Sequence, residues 1–360
     1  MTDGGEPLAS LLDRLGADPS TPGVRAWRAP GRVNLIGEHV DYLGGTVLPF
    51  ACDREIRLVT LPRDGEVVVS SEDAPGEVRI PLDGSAAAPQ GWGRYVAGVV
   101  AALRADGRPV RGFRGVLSSS IPVGAGLSSS AALIAVLAMA LLDGERPPPQ
   151  LLQSAEHCAV GVPCGVMDHV AVLHGRAGHA LEVDCAAVTW RAIPLPSVGV
   201  VVIDTGTRRS LDDGRYAERR RETEDALRIS QAGGEAGDVG RRRLRHVASE
   251  EERVGGFIAA MQNGDVAALG ALVNESHASL REDFEVSSPA LEAGVTAARS
   301  RPECLGARLV GAGFAGCVLA LVRAGSEDAF VAAVTEALSD ARVFAVTATD
   351  GAGPMTLPRG

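Results

Sequence analysis

Residues 122–136 read PVGAGLSSSAALIAV, two glycines and three serines ahead of a long apolar run. Gly124 and Gly126 remove side chains where backbone must curl closely round a ligand. Ser128, Ser129 and Ser130 place hydroxyls and N–H groups at the start of a predicted buried helix. A helix N-terminus carries unpaired donors and the positive end of the dipole, so it holds phosphate without lysine. Gly124, Ala125, Gly126, Leu127, Ser128, Ser129 and Ser130 are therefore the candidate anion cradle. A serine-rich cap after a turn is the alternative, although one capping serine would suffice for that.

Lysine matters because the chain has none: all 35 of its basic residues are arginine. A Walker A loop, a protein-kinase strand lysine and a pyridoxal phosphate Schiff base are thereby excluded. The string GAGFAG at 311–316 fits GxGxxG, but the dinucleotide fingerprint must open a helix after a strand. Here the strand-like CVLALV follows, so the spacing predicts strand–turn–strand and the nicotinamide reading is weak.

Two further stretches carry polar groups where apolar ones are expected. In RAPGRVNLIGEHVDYLGGTVLPFA, residues 28–51, Arg32, Asn34, Glu38, His39 and Asp41 interrupt the apolar positions too often for a plain strand. Glu38, His39 and Asp41 beside a Gly-Gly turn suit a polyhydroxylated ligand, with carboxylate acceptors and an imidazole; a polar turn is the simpler reading. In AEHCAVGVPCGVMDHVAVLHGRAGHALEVDC, residues 155–185, Glu156 lies on a helix and Asp168 stands among Val and Met. A carboxylate there must be paired or functional, or it caps the next helix.

The supporting elements read as a mixture. Short strands punctuated by Gly and Pro are predicted to about residue 80, then a helix over Trp92–Leu103, a strand at Phe113–Leu117 and the apolar helix from Ala131. Another helix follows at Leu151–Val160, with strands at Gly178–Val183 and Gly199–Ile203. A charged helix covers 214–232, and GGEAGDVGRRRLRH reads as a solvated loop because acidic residues flank it and no aromatics interleave. Helices at about 250–262, 265–281 and 288–299, a strand pair, and a helix from about Ser326 complete the chain. Without regular βαβ alternation the class is α+β, with a boundary near 190–200.

With 46% hydrophobic and 22% charged residues, the 360-residue chain can fill two sizeable cores. Its net charge of −10 argues against nucleic acid or an anionic membrane as partner, and requires a local positive site for an anionic substrate. The six cysteines form no zinc spacing and read as reduced core residues of a cytoplasmic protein. No signal peptide is evident, and no apolar run reaches the ~20 residues needed to span a bilayer.

GRVNLIGEHVDY, PVGAGLSSSAA, EHCAVGVPCGVMD and GAGFAGC, in this order and spacing, resemble the galactokinase branch of the GHMP kinases. SLDDGRYAERRRE and NESHASLREDFEVSSPALE extend the similarity over nearly the whole chain. The resemblance implies a two-domain α+β GHMP-kinase fold, residues 1–195 and 196–360, with the active site between the domains. It implies ATP and a galactose-like monosaccharide as ligands, with Mg²⁺ accompanying the ATP. By it, Asp168 is the catalytic carboxylate and Arg32 its neighbour, favouring the ionised form and stabilising charge on the transferred phosphoryl group. Glu38, His39, Asp41, Gly165 and Tyr216 would hold the sugar, residues 124–130 the phosphates, Ser130 and Glu156 the Mg²⁺, and Trp92 would lie near adenine. The chain departs from the family at His169 (usually Gln), at Ala312 and Ala315 (usually Gly), and at the LGG turn after Tyr42. Related acceptors such as N-acetylgalactosamine, or a sensor that binds sugar and ATP, remain as alternatives to a galactose kinase.

Overall fold

The first sheet is buried on both faces, because successive side chains point to opposite sides: Trp27 and Leu58 enter the main core, while Ala26 and Val59 pack with Leu11, Leu12 and Leu15. The computed structural model describes residues 7–85, 89–122, 124–161, 164–208 and 214–358; Val123, 162–163 and 209–213, parts of three of the motifs above, lie outside them. The first half runs α1 (Leu8–Leu15), β1 (Arg25–Asn34), β2 (Thr46–Val47), β3 (Pro49–Pro62), β4 (Glu66–Ser71) and β5 (Glu77–Pro81). It continues with α2 (Gly93–Ala105), β6 (Phe113–Ser119), α3 (Ser129–Leu141), α4 (Pro149–Val160), α5 (Met167–His174), β7 (His179–Asp184) and β8 (Thr189–Pro194). The second half comprises β9 (Val198–Asp204), α6 (Arg215–Gln231), α7 (Asp238–Asn263), α8 (Val266–Glu282) and α9 (Pro289–Arg299). β10 (Cys304–Val310), β11 (Cys317–Arg323), α10 (Glu327–Ala337), β12 (Arg342–Val346) and β13 (Gly353–Pro354) close it.

Three sheets result, ordered β13-β1-β3-β6-β4-β5, β10-β11-β9-β12 and β2-β7-β8. Among the strand pairs, β4 with β6 is parallel and the rest are antiparallel, giving the α+β class expected from the sequence. α3 is buried along Ala131–Leu141, and its apolar character on all sides follows from contacts with α2, α4, α5, β1 and β3.

Local sequence explains the departures from expectation. RAPGRVN is a strand after all, with a register shift between Pro30 and Arg32. Pro30 has no N–H to donate, and a side chain on Gly31 would collide with the Leu127 carbonyl, so the ladder breaks there. GRRRLRH is not a loop: it belongs to α7, whose Arg243 is fully buried. Arg243 donates to Glu222 at 2.8 Å and Glu285 at 2.6 Å and lies against Phe284, so carboxylates distant in sequence absorb its charge. β8 and α1 were not anticipated, whereas GAGFAG forms the expected turn between β10 and β11.

Candidate active site

The bulge in β1 aims Arg32 inward. Its backbone N–H donates to the Leu127 carbonyl at 3.1 Å, tying the strand to the glycine-serine loop. Its guanidinium donates through Nε to Asp168 Oδ1 at 2.7 Å and through Nη1 to the Gly126 carbonyl at 2.6 Å. Burial disfavours the Arg32 charge, but Asp168, Glu38 and Asp41 outweigh it and raise its pKa. Asp168 lies in the first turn of α5, where the helix dipole favours a carboxylate, and receives the Ser128 hydroxyl on Oδ2. It caps nothing: both oxygens are turned to Arg32 and Ser128. Its side chain stays about a quarter exposed, at 26%, so a ligand can reach it.

Ser128 precedes α3 in a left-handed conformation, φ 59°, which turns the chain from the loop into the helix. No side chain caps the first turn of α3, so its N–H groups face the loop, as an anion site requires. The GAGFAG turn covers this loop: a Cβ on Gly316 would stand 3.2 Å from the Ala125 carbonyl, and one on Gly126 would stand 3.4 Å from the Val310 carbonyl. Gly311, Gly313, Phe314 and Gly316 hold the left-handed positions of that turn, whereas Ala312 and Ala315 do not have φ > 0. The two alanines therefore leave the close approach intact. Arg208, which the sequence reading missed, packs against Gly124 and is held by both oxygens of Asp204 at 2.7 and 2.8 Å. It supplies a cation beside the loop.

At the start of α3 and along α4, the Ser130 hydroxyl and a His169 imidazole both engage Glu156. Burial pushes the Glu156 carboxyl up, but these hydrogen bonds and that of Cys164 prevail and lower it. A hydroxyl and an ionised carboxylate beside a phosphate loop are the hard oxygen donors that Mg²⁺ takes alongside phosphates, so the residues fit that ion. Trp92 stands at the N-terminus of α2, packed against the core of the first half.

The remaining candidates gather around residues 38–42, beside Gly165 of the first half and Tyr216, Phe284 and Arg308 of the second. Asp41 opens a 3₁₀ turn, Asp41–Leu43, and abuts the Gly165 backbone so closely that a side chain at 165 would overlap its carboxylate. Desolvation first, then the Asp168 and Glu38 charges, raise the Asp41 pKa to about 7. His39 adopts φ 62° and stacks obliquely 4.6 Å from Phe284, with Tyr216 5.8 Å away and the Tyr42 hydroxyl 3.3 Å from Nδ1. Glu38 is buried and reached from the second half: Gly311 N–H donates to Oε1 at 2.9 Å and Arg308 Nη2 at 3.2 Å.

Arg308 and Glu250 are functional supports that the sequence did not reveal. Arg308 is fully buried on β10 and also donates to the Asn34 and Leu35 carbonyls, at 2.6 and 2.9 Å. Glu250, fully buried on α7, accepts the Gly37 and Glu38 N–H groups at 3.0 and 3.3 Å and the Ser276 hydroxyl at 2.8 Å. Burial opposes its ionisation, yet His246, Arg253 and Arg308 keep its pKa lowered. The second half of the chain thus holds residues 34–38 of the first.

Three family models match the chain: the galactokinase galactose-binding signature over residues 14–61, the GHMP kinases N-terminal domain over 94–176 and the GHMP kinases C-terminal domain over 257–340. A galactokinase of Roseiflexus sp. (strain RS-1) is 40% identical, the match covering 98% of this chain and 97% of that protein. The galactokinase of Homo sapiens is 37% identical, with 98% and 96% covered. Among solved structures, Lactococcus lactis galactokinase complexed with galactose superposes with a TM-score of 0.89 at 29% identity, covering 97% of this chain and all of that one. Methanococcus jannaschii mevalonate kinase shares the fold, with a TM-score of 0.71 at 18% identity over 92% of this chain and all of its own. With identity this high over nearly the full length, and the signature spanning the bulged strand that carries Arg32, the chain belongs to the galactokinase family of the GHMP kinases.

Proposed function

We propose that this protein transfers the γ-phosphoryl group of ATP to the anomeric hydroxyl of galactose, giving galactose 1-phosphate and ADP. The observation that carries the reading is the Arg32 fork, which joins the Asp168 carboxylate to the backbone of the phosphate loop in one hydrogen-bonded unit. Phosphoryl transfer passes through a loose transition state, so positioning and charge stabilisation supply most of the catalysis.

Arg32 performs both tasks. It fixes Asp168 in orientation, and its charge opposes the negative charge gathering on the transferred group. Asp168 orients the acceptor hydroxyl and accepts its proton late, when the bond to phosphorus is largely formed. Residues 124–130 cradle the phosphates through backbone N–H groups. Ser130 and Glu156 would hold Mg²⁺, which supplies charge neutralisation on the phosphates when it accompanies ATP. Glu38, His39, Asp41, Gly165 and Tyr216 hold the sugar, and a side chain at Gly165 would displace the Asp41 carboxylate. Residues 1–195 and 196–360 are the two domains on either side, with 347–358 crossing back onto the first. Trp92 is assigned to the adenine end.

A coupled assay of ADP release against a panel of hexoses and N-acetylhexosamines tests the reading, with the product identified by its phosphate position. Galactose-dependent ADP release with galactose 1-phosphate as product is expected. Turnover confined to another acceptor overturns it.

A further inference from the structure

His169, Cys164 and Glu156 converge on one point beside the phosphate loop. Glu156 Oε2 lies 3.1 Å from His169 Nε2 and 3.7 Å from Cys164 Sγ, and Cys164 Sγ lies 3.9 Å from His169 Nε2. Metal–ligand bonds of ~2.0–2.3 Å give a tetrahedron with edges of roughly 3.3–3.8 Å, so these three separations bracket one face of such a tetrahedron. His169 is fully buried, and its Nδ1 has no hydrogen-bond partner among the described residues. Nε2 is the nitrogen turned to Glu156 and Cys164, and the unpartnered Nδ1 is free to carry the proton when Nε2 binds a metal. Cys164 and Glu156 keep partial access to solvent, the Glu156 side chain being 12% exposed.

We propose that Glu156, Cys164 and His169 form a three-ligand site for a soft divalent transition metal of the Zn²⁺ class, which shares Glu156 with the Mg²⁺ position and so inhibits the kinase. The inhibitory part rests on Glu156 being the Mg²⁺ ligand, as proposed above; the metal site itself does not. Thiolate and imidazole select Zn²⁺-like ions over Mg²⁺, which prefers oxygen. Binding forms a metal–sulfur bond in place of the Cys164 S–H bond, and that proton leaves to solvent. The imidazole proton moves from Nε2 to Nδ1 as Nε2 binds the metal. The fourth position stays open to water or a phosphate oxygen, as in catalytic rather than structural zinc sites. Burial and the Glu156, Asp168 and Asp41 carboxylates hold the metal-free thiol far above its ordinary pKa; a dication at the cluster reverses that electrostatic setting.

Co²⁺ added to the Mg²⁺-free enzyme is the direct probe, because cobalt bound to thiolate absorbs in the near-ultraviolet. One equivalent should give a thiolate band that Zn²⁺ abolishes. Cys164→Ser should lose the band, and His169→Gln should bind at least ~10-fold more weakly, beyond the effect of losing an outer partner. Cys158→Ser, at an exposed thiol, should leave it unchanged. Unaltered far-ultraviolet circular dichroism would show that the variants are folded. A missing thiolate band, or binding unaffected by both Cys164→Ser and His169→Gln, overturns the site. In the assay, Zn²⁺ should inhibit competitively with Mg²⁺, and the Zn²⁺ concentration giving half-inhibition, taken relative to each variant's own Mg²⁺-dependent rate, should rise at least ~10-fold in His169→Gln. A thiolate band without competition by Mg²⁺ upholds the cluster and overturns Glu156 as the shared Mg²⁺ ligand.

Discussion

Asp168 takes its two hydrogen bonds from donors of different kinds, the Arg32 guanidinium on Oδ1 and the Ser128 hydroxyl on Oδ2. Removing the carboxylate leaves the phosphate loop standing, because Arg32 still bonds the Gly126 carbonyl. Asp168→Ala should therefore lower kcat by at least ~10²-fold while ATP affinity stays close to wild type, and the melting temperature should fall because buried Arg32 loses its nearest carboxylate. More than a tenth of wild-type kcat would show that the proton needs no acceptor there. Arg32→Lys keeps the charge and loses the fork, so one of the two contacts must go; kcat should drop severely, and near-normal turnover would reduce Arg32 to an ion-pair partner. Asp41 predicts a pH effect. Its folded pKa of about 7 lies above the ordinary 3.8, so the folded protein holds a proton that the unfolded chain releases. The sign follows: this group's contribution to stability is full below the unfolded value and lost as pH rises through about 7. A sugar hydroxyl donating to Asp41 favours the ionised form. Galactose should thus bind more weakly at about pH 5.5 than at about pH 8.5, with proton release near neutrality. Calorimetry in buffers of different ionisation enthalpy measures both, and Asp41→Asn should flatten the dependence.

At the scale of elements, segment 34–38, which ends in the proposed sugar ligand Glu38, depends on β10 and α7, which belong to the other half of the molecule. Arg308→Met would leave the Glu38 carboxylate and the Asn34 and Leu35 carbonyls without their buried donor. Breaking one side of a buried charged pair costs about 3–5 kcal/mol, so the variant should melt markedly earlier. It should also raise KM for galactose several-fold more than KM for ATP, since the phosphate loop is not among its contacts. Equal rises in both would show general loosening instead. The same elements explain what could be read from sequence. Arg32, Glu38, Asp41, Glu156 and Asp168 stood out because polar groups interrupted apolar runs, and the glycine-serine loop because its spacing has few other uses. Arg308 and Glu250 stayed hidden: each sits in a regular element, and their partners lie 270 and 213 residues away. Arg243 misled for the same reason, since three consecutive arginines look solvated until Glu222 and Glu285 are brought beside them. The bulge at Pro30–Arg32 hid a strand whose irregularity is its purpose, because it turns Arg32 toward Asp168.

For the molecule as a whole, the sequence order of the two halves conceals a closure. After β12 the chain leaves the second sheet and returns to the first. The Asp53 N–H donates to the Thr347 carbonyl at 3.0 Å, and the Thr349 N–H to the Ala51 carbonyl at 2.8 Å. The Gly351, Ala352 and Met355 N–H groups donate to the Gly175, Val172 and Ala26 carbonyls, each at 2.8 Å. β13 pairs with β1, and Met355 and Leu357 cover the apolar cluster under α1. β1 carries Arg32 and α5 carries Asp168, so the tail braces both elements of the proposed catalytic pair. A fragment ending at residue 195 would lack this brace as well as Arg308 and Glu250, and it should not fold alone. The sharper test is deletion of residues 347–360, which leaves every proposed ligand in place. Exposed strand edge, orphaned carbonyls near α5 and lost apolar cover together should cost on the order of 5 kcal/mol, since each buried group left unsatisfied costs ~1–3 kcal/mol. For a chain of this size that corresponds to a fall of roughly 6–7 °C in Tm. Calorimetry of the full chain should show one transition, because unfolding either half removes contacts from the other. A truncated chain melting within about 1 °C of the intact one, a difference worth ~1 kcal/mol or less, would mean that the return segment follows the fold without supporting it.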